Sequence, residues 1–123
     1  MQKQNHILVV DDDEQLRTTL CEQLLSEGYT VTMADDGEKA LATIKEKNVD
    51  VAVVDVKMPK VNGFEVLEFV KKNYPNIKII MLTAYADLRN VNKCKELGAD
   101  DVIEKPYDIG DLFDSIHYVS KRE

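Results

Sequence analysis

A doubly wound α/β fold, one parallel sheet of five strands with helices on both faces, is predicted for this 123-residue chain by three observations. Short apolar runs alternate five times with amphipathic stretches, and strict β-α alternation implies a parallel sheet covered on both sides. The first, third and fourth runs are almost wholly apolar, as strands buried on both faces must be. The length is that of a single domain with a sizeable core, so residues 1–123 are expected to form one unit.

The first strand is "HILVV" (6–10). The stretch "DEQLRTTLCEQLLSEG" then places Leu16, Leu20 and Leu24 on one helical face, with acidic residues at its start to suit the helix dipole and Gly28 to stop it. "YTVTMA" (29–34) is the second strand, and Ala40, Leu41 and Ile44 mark the second helix. "VAVVDV" (51–56) is the third strand. Asn62 is the natural cap for the helix beginning "GFEVLEF", whose inner face carries Leu67 and Val70. "IKIIML" (77–82) is followed by a helix with Leu88, Val91 and Cys94 on its apolar side. "DVIEK" (101–105) precedes the clearest helix, where Ile109, Leu112, Phe113, Ile116 and Val119 recur at helical spacing.

Composition narrows the function. Sixteen Lys and Arg against 23 Asp and Glu give a net charge of −7, which argues against a basic face for nucleic acid. With 44% hydrophobic and 32% charged residues the chain is of ordinary globular type. No apolar run approaches a membrane span, and "MQKQNHILVV" lacks the pattern of a signal peptide, so a cytoplasmic location is expected. Cys21 and Cys94 show no metal-ligand or redox spacing and read as buried free thiols, and the lone His117 reads as a plain helix residue.

Ligand sites of open parallel sheets lie beyond the carboxyl ends of the strands. Those ends carry Asp11, Asp12 and Asp13 after the first strand, Asp55 after the third, Thr83 after the fourth and Lys105 after the fifth. One aspartate can cap the first helix, but three exceed what capping needs. Asp55 is the least ordinary, because a lone carboxylate ending an apolar strand requires compensation. Clustered carboxylates without His or Cys suit a hard cation such as Mg²⁺, with Mn²⁺ as a substitute. An ionised carboxylate can also attack phosphorus to form an aspartyl phosphate, with a metal, Lys105 and the Thr83 hydroxyl stabilising the phosphoryl oxygens.

Four separated segments, "ILVVDDDE", "VVDVKMPKVNG", "IIMLTAYAD" and "GADDVIEKPY", together resemble the receiver domain of two-component response regulators, across essentially the whole chain. The resemblance implies a flavodoxin-like sheet of order 2-1-3-4-5 and makes Asp55 the phosphoacceptor. It further implies that Asp12 binds Mg²⁺ directly, that Asp11 holds it chiefly through water, and that the Lys57 carbonyl joins Asp55 as a ligand. Thr83 then matches the switch hydroxyl and Lys105 the lysine that pairs with Asp55 and its phosphate, with a cis Lys105-Pro106 bond.

The expected donor is a histidine kinase or histidine phosphotransfer protein docking near the first helix and the loop after the fifth strand. Such a chain accepts phosphate and loses it slowly, without enzymatic turnover. It is expected as a monomer or a phosphorylation-dependent dimer, signalling through the surface of the fourth helix, fifth strand and fifth helix. One position departs from the pattern: Val102 stands where many receivers carry a switch aromatic. Lys57 and Tyr85, two residues beyond Asp55 and Thr83, are placed to shield the phosphoryl group and prolong its life. That pair and "TAYADL" are similar to the single-domain receiver of the sporulation phosphorelay.

Two other readings fare worse. A haloacid-dehalogenase-type phosphatase would need an acid-base aspartate where Lys57 stands, and a flavodoxin-like cofactor module would need small residues where "DDDE" repels phosphate. A free-standing phosphorelay or adaptor protein and the regulatory part of a longer regulator both fit the chain.

Overall fold

The structure is a computed structural model describing residues 5–58, 61–84 and 86–121. Its elements run β1 (His6–Val10), α1 (Glu14–Ser26), β2 (Thr30–Ala34), α2 (Gly37–Glu46), β3 (Val51–Asp55), α3 (Gly63–Asn73), β4 (Lys78–Thr83), α4 (Leu88–Glu96), β5 (Asp101–Glu104) and α5 (Ile109–Lys121). All strand pairs are parallel, in the order β2-β1-β3-β4-β5.

Successive strand residues point to opposite faces, and the core divides accordingly. Leu8, Val10, Ala52, Val54, Ile79 and Met81 pack against α2, α3 and α4. Ile7, Val9, Val51, Val53, Ile80 and Leu82 pack against α1 and α5. Because β1, β3 and β4 are covered on both sides, their continuous apolar runs are a requirement of position.

The caps are those the local chemistry calls for. Asp13 caps α1 by accepting the Leu16 amide at 3.2 Å, which leaves Asp11 and Asp12 available for other work. Asn62 and Glu65 form a reciprocal capping box at the start of α3. After α1 the chain turns at Gly28 with φ 97°, a left-handed conformation that glycine adopts without steric cost.

Two expected core leucines are elsewhere. Leu16 is 52% exposed, and the buried face of α1 is Leu20, Cys21 and Leu24. Helical periodicity in the first turn of α1 therefore does not mean burial. Leu88 is 67% exposed, and only Cys94 of α4 is buried. This nine-residue helix covers β5 at the sheet margin, where little core remains to receive an apolar stripe. Leu41 and Phe113 are half-buried against the two core layers, Cys21 and Cys94 are buried free thiols, and His117 is exposed.

Candidate functional site

The site forms where the sheet order reverses between β1 and β3, at the carboxyl ends of the strands. Asp11 follows β1 directly and is 5% exposed; its Oδ1 accepts the Asp13 amide at 2.9 Å. Asp12, beside it, is exposed. Asp55 ends β3 at 9% exposure, with Oδ1 accepting the Lys57 amide at 3.3 Å and Oδ2 accepting from Lys105 Nζ at 3.0 Å. Asp11, Asp12 and Asp55 each present a carboxylate oxygen, all within 4.8 Å of one another.

The electrostatics follow from this crowding. Burial raises the Asp11 pKa; the Asp13 amide works against that rise, the Asp55 charge adds to it, Lys105 opposes it and Asp12 adds again. For Lys105, burial disfavours the ammonium, yet the hydrogen bond and charge of Asp55, with the charge of Asp11, prevail and raise its pKa. Lys105 therefore stays charged and holds Asp55 in place.

Thr83, the last residue of β4, is 1% exposed and its hydroxyl is buried without a hydrogen-bond partner. An unmet buried hydroxyl is costly, and here it stands at the same strand edge as Asp55. The Thr83 carbonyl accepts the Lys105 amide at 2.7 Å, and the Lys105-Pro106 bond is cis. Lys57 is exposed and lines a shallow cleft with Asp12, Asn62, Phe64 and Asn90. Tyr85 lies outside the described residues.

Two further residues shape the site without having signalled it in the sequence. Arg17 reaches from α1 to donate to the Asp11 carbonyl at 2.8 Å, pinning the acidic loop to the helix. Gly63 opens α3 with its amide bonded to the Val56 carbonyl at 3.0 Å, and a Cβ there would collide with the Asp55 carbonyl. Gly63 reads as a routine helix start beside a cap, and nothing in its neighbours' identity reports the approach of a strand folded against it.

A second cleft of about 460 Å³ opens on the other side of Asp11, between Leu16, Leu20 and Gln23 of α1 and the Pro106–Ile109 loop. The exposed Leu16 is thus part of its wall. As chemistry, the site offers a hard, all-oxygen donor set with no His or Cys, fit for a small divalent cation. It also offers a carboxylate that a lysine keeps oriented, and a hydroxyl donor in search of an acceptor.

The family profile described as "Response regulator receiver domain" matches residues 7–117. Among curated proteins, the chain is 36% identical over 110 residues to sporulation initiation phosphotransferase F of Bacillus subtilis, covering 89% of each. It is 41% identical to a cyclic di-GMP phosphodiesterase of Thermotoga maritima and 38% identical to the probable transcriptional regulator ycf27 of Cyanidium caldarium. The match covers 84% and 98% of the chain in these two cases, but only 27% and 48% of those longer proteins. Among solved structures, a response regulator receiver domain protein from Clostridium thermocellum superposes with TM-score 0.91 at 31% identity, covering 96% of this chain and 95% of that one. A CheY-like receiver from Methanospirillum hungatei gives 0.89 at 36% identity, covering 94% and 93%.

Proposed function

We propose that this chain, which belongs to the response regulator receiver domain family, takes a phosphoryl group onto Asp55 from a phosphohistidine on a histidine kinase or phosphotransfer protein. The observation that carries the reading is the convergence of Asp55, Lys105, Asp11 and Asp12 at one strand edge, with the Thr83 hydroxyl lacking a partner. A carboxylate oxygen of Asp55 bonds to phosphorus as the P–N bond of the donor breaks, the electron pair leaving with the imidazole. Lys105 remains cationic to pair with the new phosphoryl oxygens, and Thr83 turns to donate to one of them.

Asp11, Asp12, Asp55 and the Lys57 carbonyl would hold Mg²⁺, or Mn²⁺, which when bound neutralises charge on the transferring group. The family is one of phosphoacceptors rather than turnover enzymes, and the phosphoryl group here is lost by slow self-hydrolysis. Lys57 and Tyr85 shield the phosphoryl group, so Lys57→Asn with Tyr85→Glu is expected to speed its decay by about threefold or more. An unchanged decay rate would remove the shielding role.

The cleft between α1 and the loop after β5 is the docking surface for the donor, and α4, β5 and α5 form the output surface. Residues 1–123 act as one receiver in the cytoplasm, as a monomer or a phosphorylation-dependent dimer. Among the described residues no helix is long and apolar enough to cross a membrane. The test is labelling by acetyl phosphate with Mg²⁺. The wild type should incorporate label, Asp55→Asn and the EDTA-treated wild type should not, and retained labelling of Asp55→Asn would overturn the assignment.

A further inference from the structure

Glu104 is the last residue of β5 and lies opposite Thr83 in the parallel register. Strand alternation puts both on the face beneath α4. Ile79 and Met81 of β4 and Val102 of β5 belong to that layer, and Thr83 and Glu104 continue the two series by one step. From there the Glu104 carboxylate accepts the amide of Ala86 at 2.8 Å.

Ala86 has φ 60°, a left-handed conformation disfavoured for any residue with a Cβ. The loop does not hold this shape by intrinsic preference. Its bonds from the Asp87 amide to Ala84 O at 3.3 Å and from the Leu88 amide to Ala86 O at 3.1 Å are internal to the segment. The bond to Glu104 ties the segment to the sheet.

This tether opposes a motion that the buried, unpartnered Thr83 hydroxyl invites. On the phosphoacceptor reading, on which this inference rests, a phosphoryl oxygen on Asp55 supplies the missing partner. Thr83 must turn towards it, and the chain that follows must yield. Val102 brings no ring to this face, and among the described residues the polar link from β5 to the loop after β4 is the bond from Ala86 to Glu104. We infer that Glu104 is a latch: a positioning residue that holds the β4–α4 loop in the unphosphorylated arrangement and opposes the switched state. A ligand of Asp55 has to release the latch, so its apparent affinity is lowered by the latched fraction.

The test compares Glu104→Ala with Glu104→Gln, which loses the charge but keeps an oxygen able to accept the Ala86 amide. Beryllofluoride with Mg²⁺ serves as the phosphoryl analogue, and hydrogen exchange at the Ala86 amide is read without it. Glu104→Ala is expected to bind beryllofluoride about threefold or more tighter than the wild type and to exchange Ala86 faster, while Glu104→Gln stays within about twofold of the wild type in both. Equal tightening in the two variants would reduce the effect to lost charge and overturn the latch, as would an alanine variant no tighter than the wild type. Unchanged Ala86 exchange in Glu104→Ala overturns it independently of phosphoryl chemistry. Beryllofluoride binding undiminished in Asp55→Asn would instead overturn the phosphoacceptor reading.

Discussion

Asp11 carries an electrostatic load that a bound cation would relieve. Its proton is held more tightly in the folded chain than in the unfolded one, first because of burial and then because Asp55 and Asp12 stand beside it. Between the ordinary carboxylate value and the raised one, the native state binds more protons than the unfolded state, so stability falls as pH rises through that window. Lys105 gives the same slope at higher pH: its stabilising contribution is present below the ordinary lysine range and is lost as pH rises through its raised value.

Asp11→Asn should therefore stabilise the metal-free protein at pH 7 by about 0.5–2 kcal/mol in urea unfolding. The gain should shrink below pH of about 4, where Asp11 is protonated in both states, and also when Mg²⁺ is added to the wild type. A variant no more stable at pH 7 would contradict the crowding argument. Asp55 was legible in the sequence because a lone carboxylate at the end of an apolar strand is conspicuous, and Thr83 and Lys105 because they stand with it at the carboxyl ends of the strands. Arg17 and Gly63 were not, since one acts through a backbone carbonyl and the other by having no side chain.

At the scale of elements, the strands read well because burial on both faces leaves a continuous apolar run, and α5 read well because Leu112, Ile116 and Val119 all face the core. The first turns of α1 and α4 read less well. Helical periodicity reports an apolar stripe but not what covers it, and Leu16 and Leu88 extend theirs into solvent. In α1 that extension has a use, since Leu16 walls the cleft leading to Asp11. If the phosphohistidine partner docks there, Leu16→Asp should slow phosphotransfer from that partner by about tenfold or more. Labelling by acetyl phosphate, which needs no docking, should be unchanged. Equal loss from both donors would mean that the substitution had damaged the site itself.

Across the whole molecule, the fold explains why charges so distant in sequence meet. Parallel strands share one carboxyl edge, and the reversal of order between β1 and β3 opens a crevice there, so Asp11, Asp12 and Asp55 converge while Lys105 arrives from β5. The sheet order and the site's location were readable from the alternation of elements together with the resemblance. The hold of Glu104 on the β4–α4 loop was not, because it depends on a backbone amide presented by one left-handed residue. Three of the chain's acidic groups meet at the carboxyl edge, an all-oxygen cluster compatible with a small divalent cation.

The central claim is that Asp55, and neither neighbouring carboxylate, bonds to phosphorus. Borohydride reduces an aspartyl phosphate to homoserine, which marks the acceptor permanently. After treatment with acetyl phosphate and Mg²⁺ followed by borohydride, peptide mass spectrometry should find homoserine at position 55. Homoserine at position 11 or 12, or at no position in a chain that had taken up label, would contradict the account.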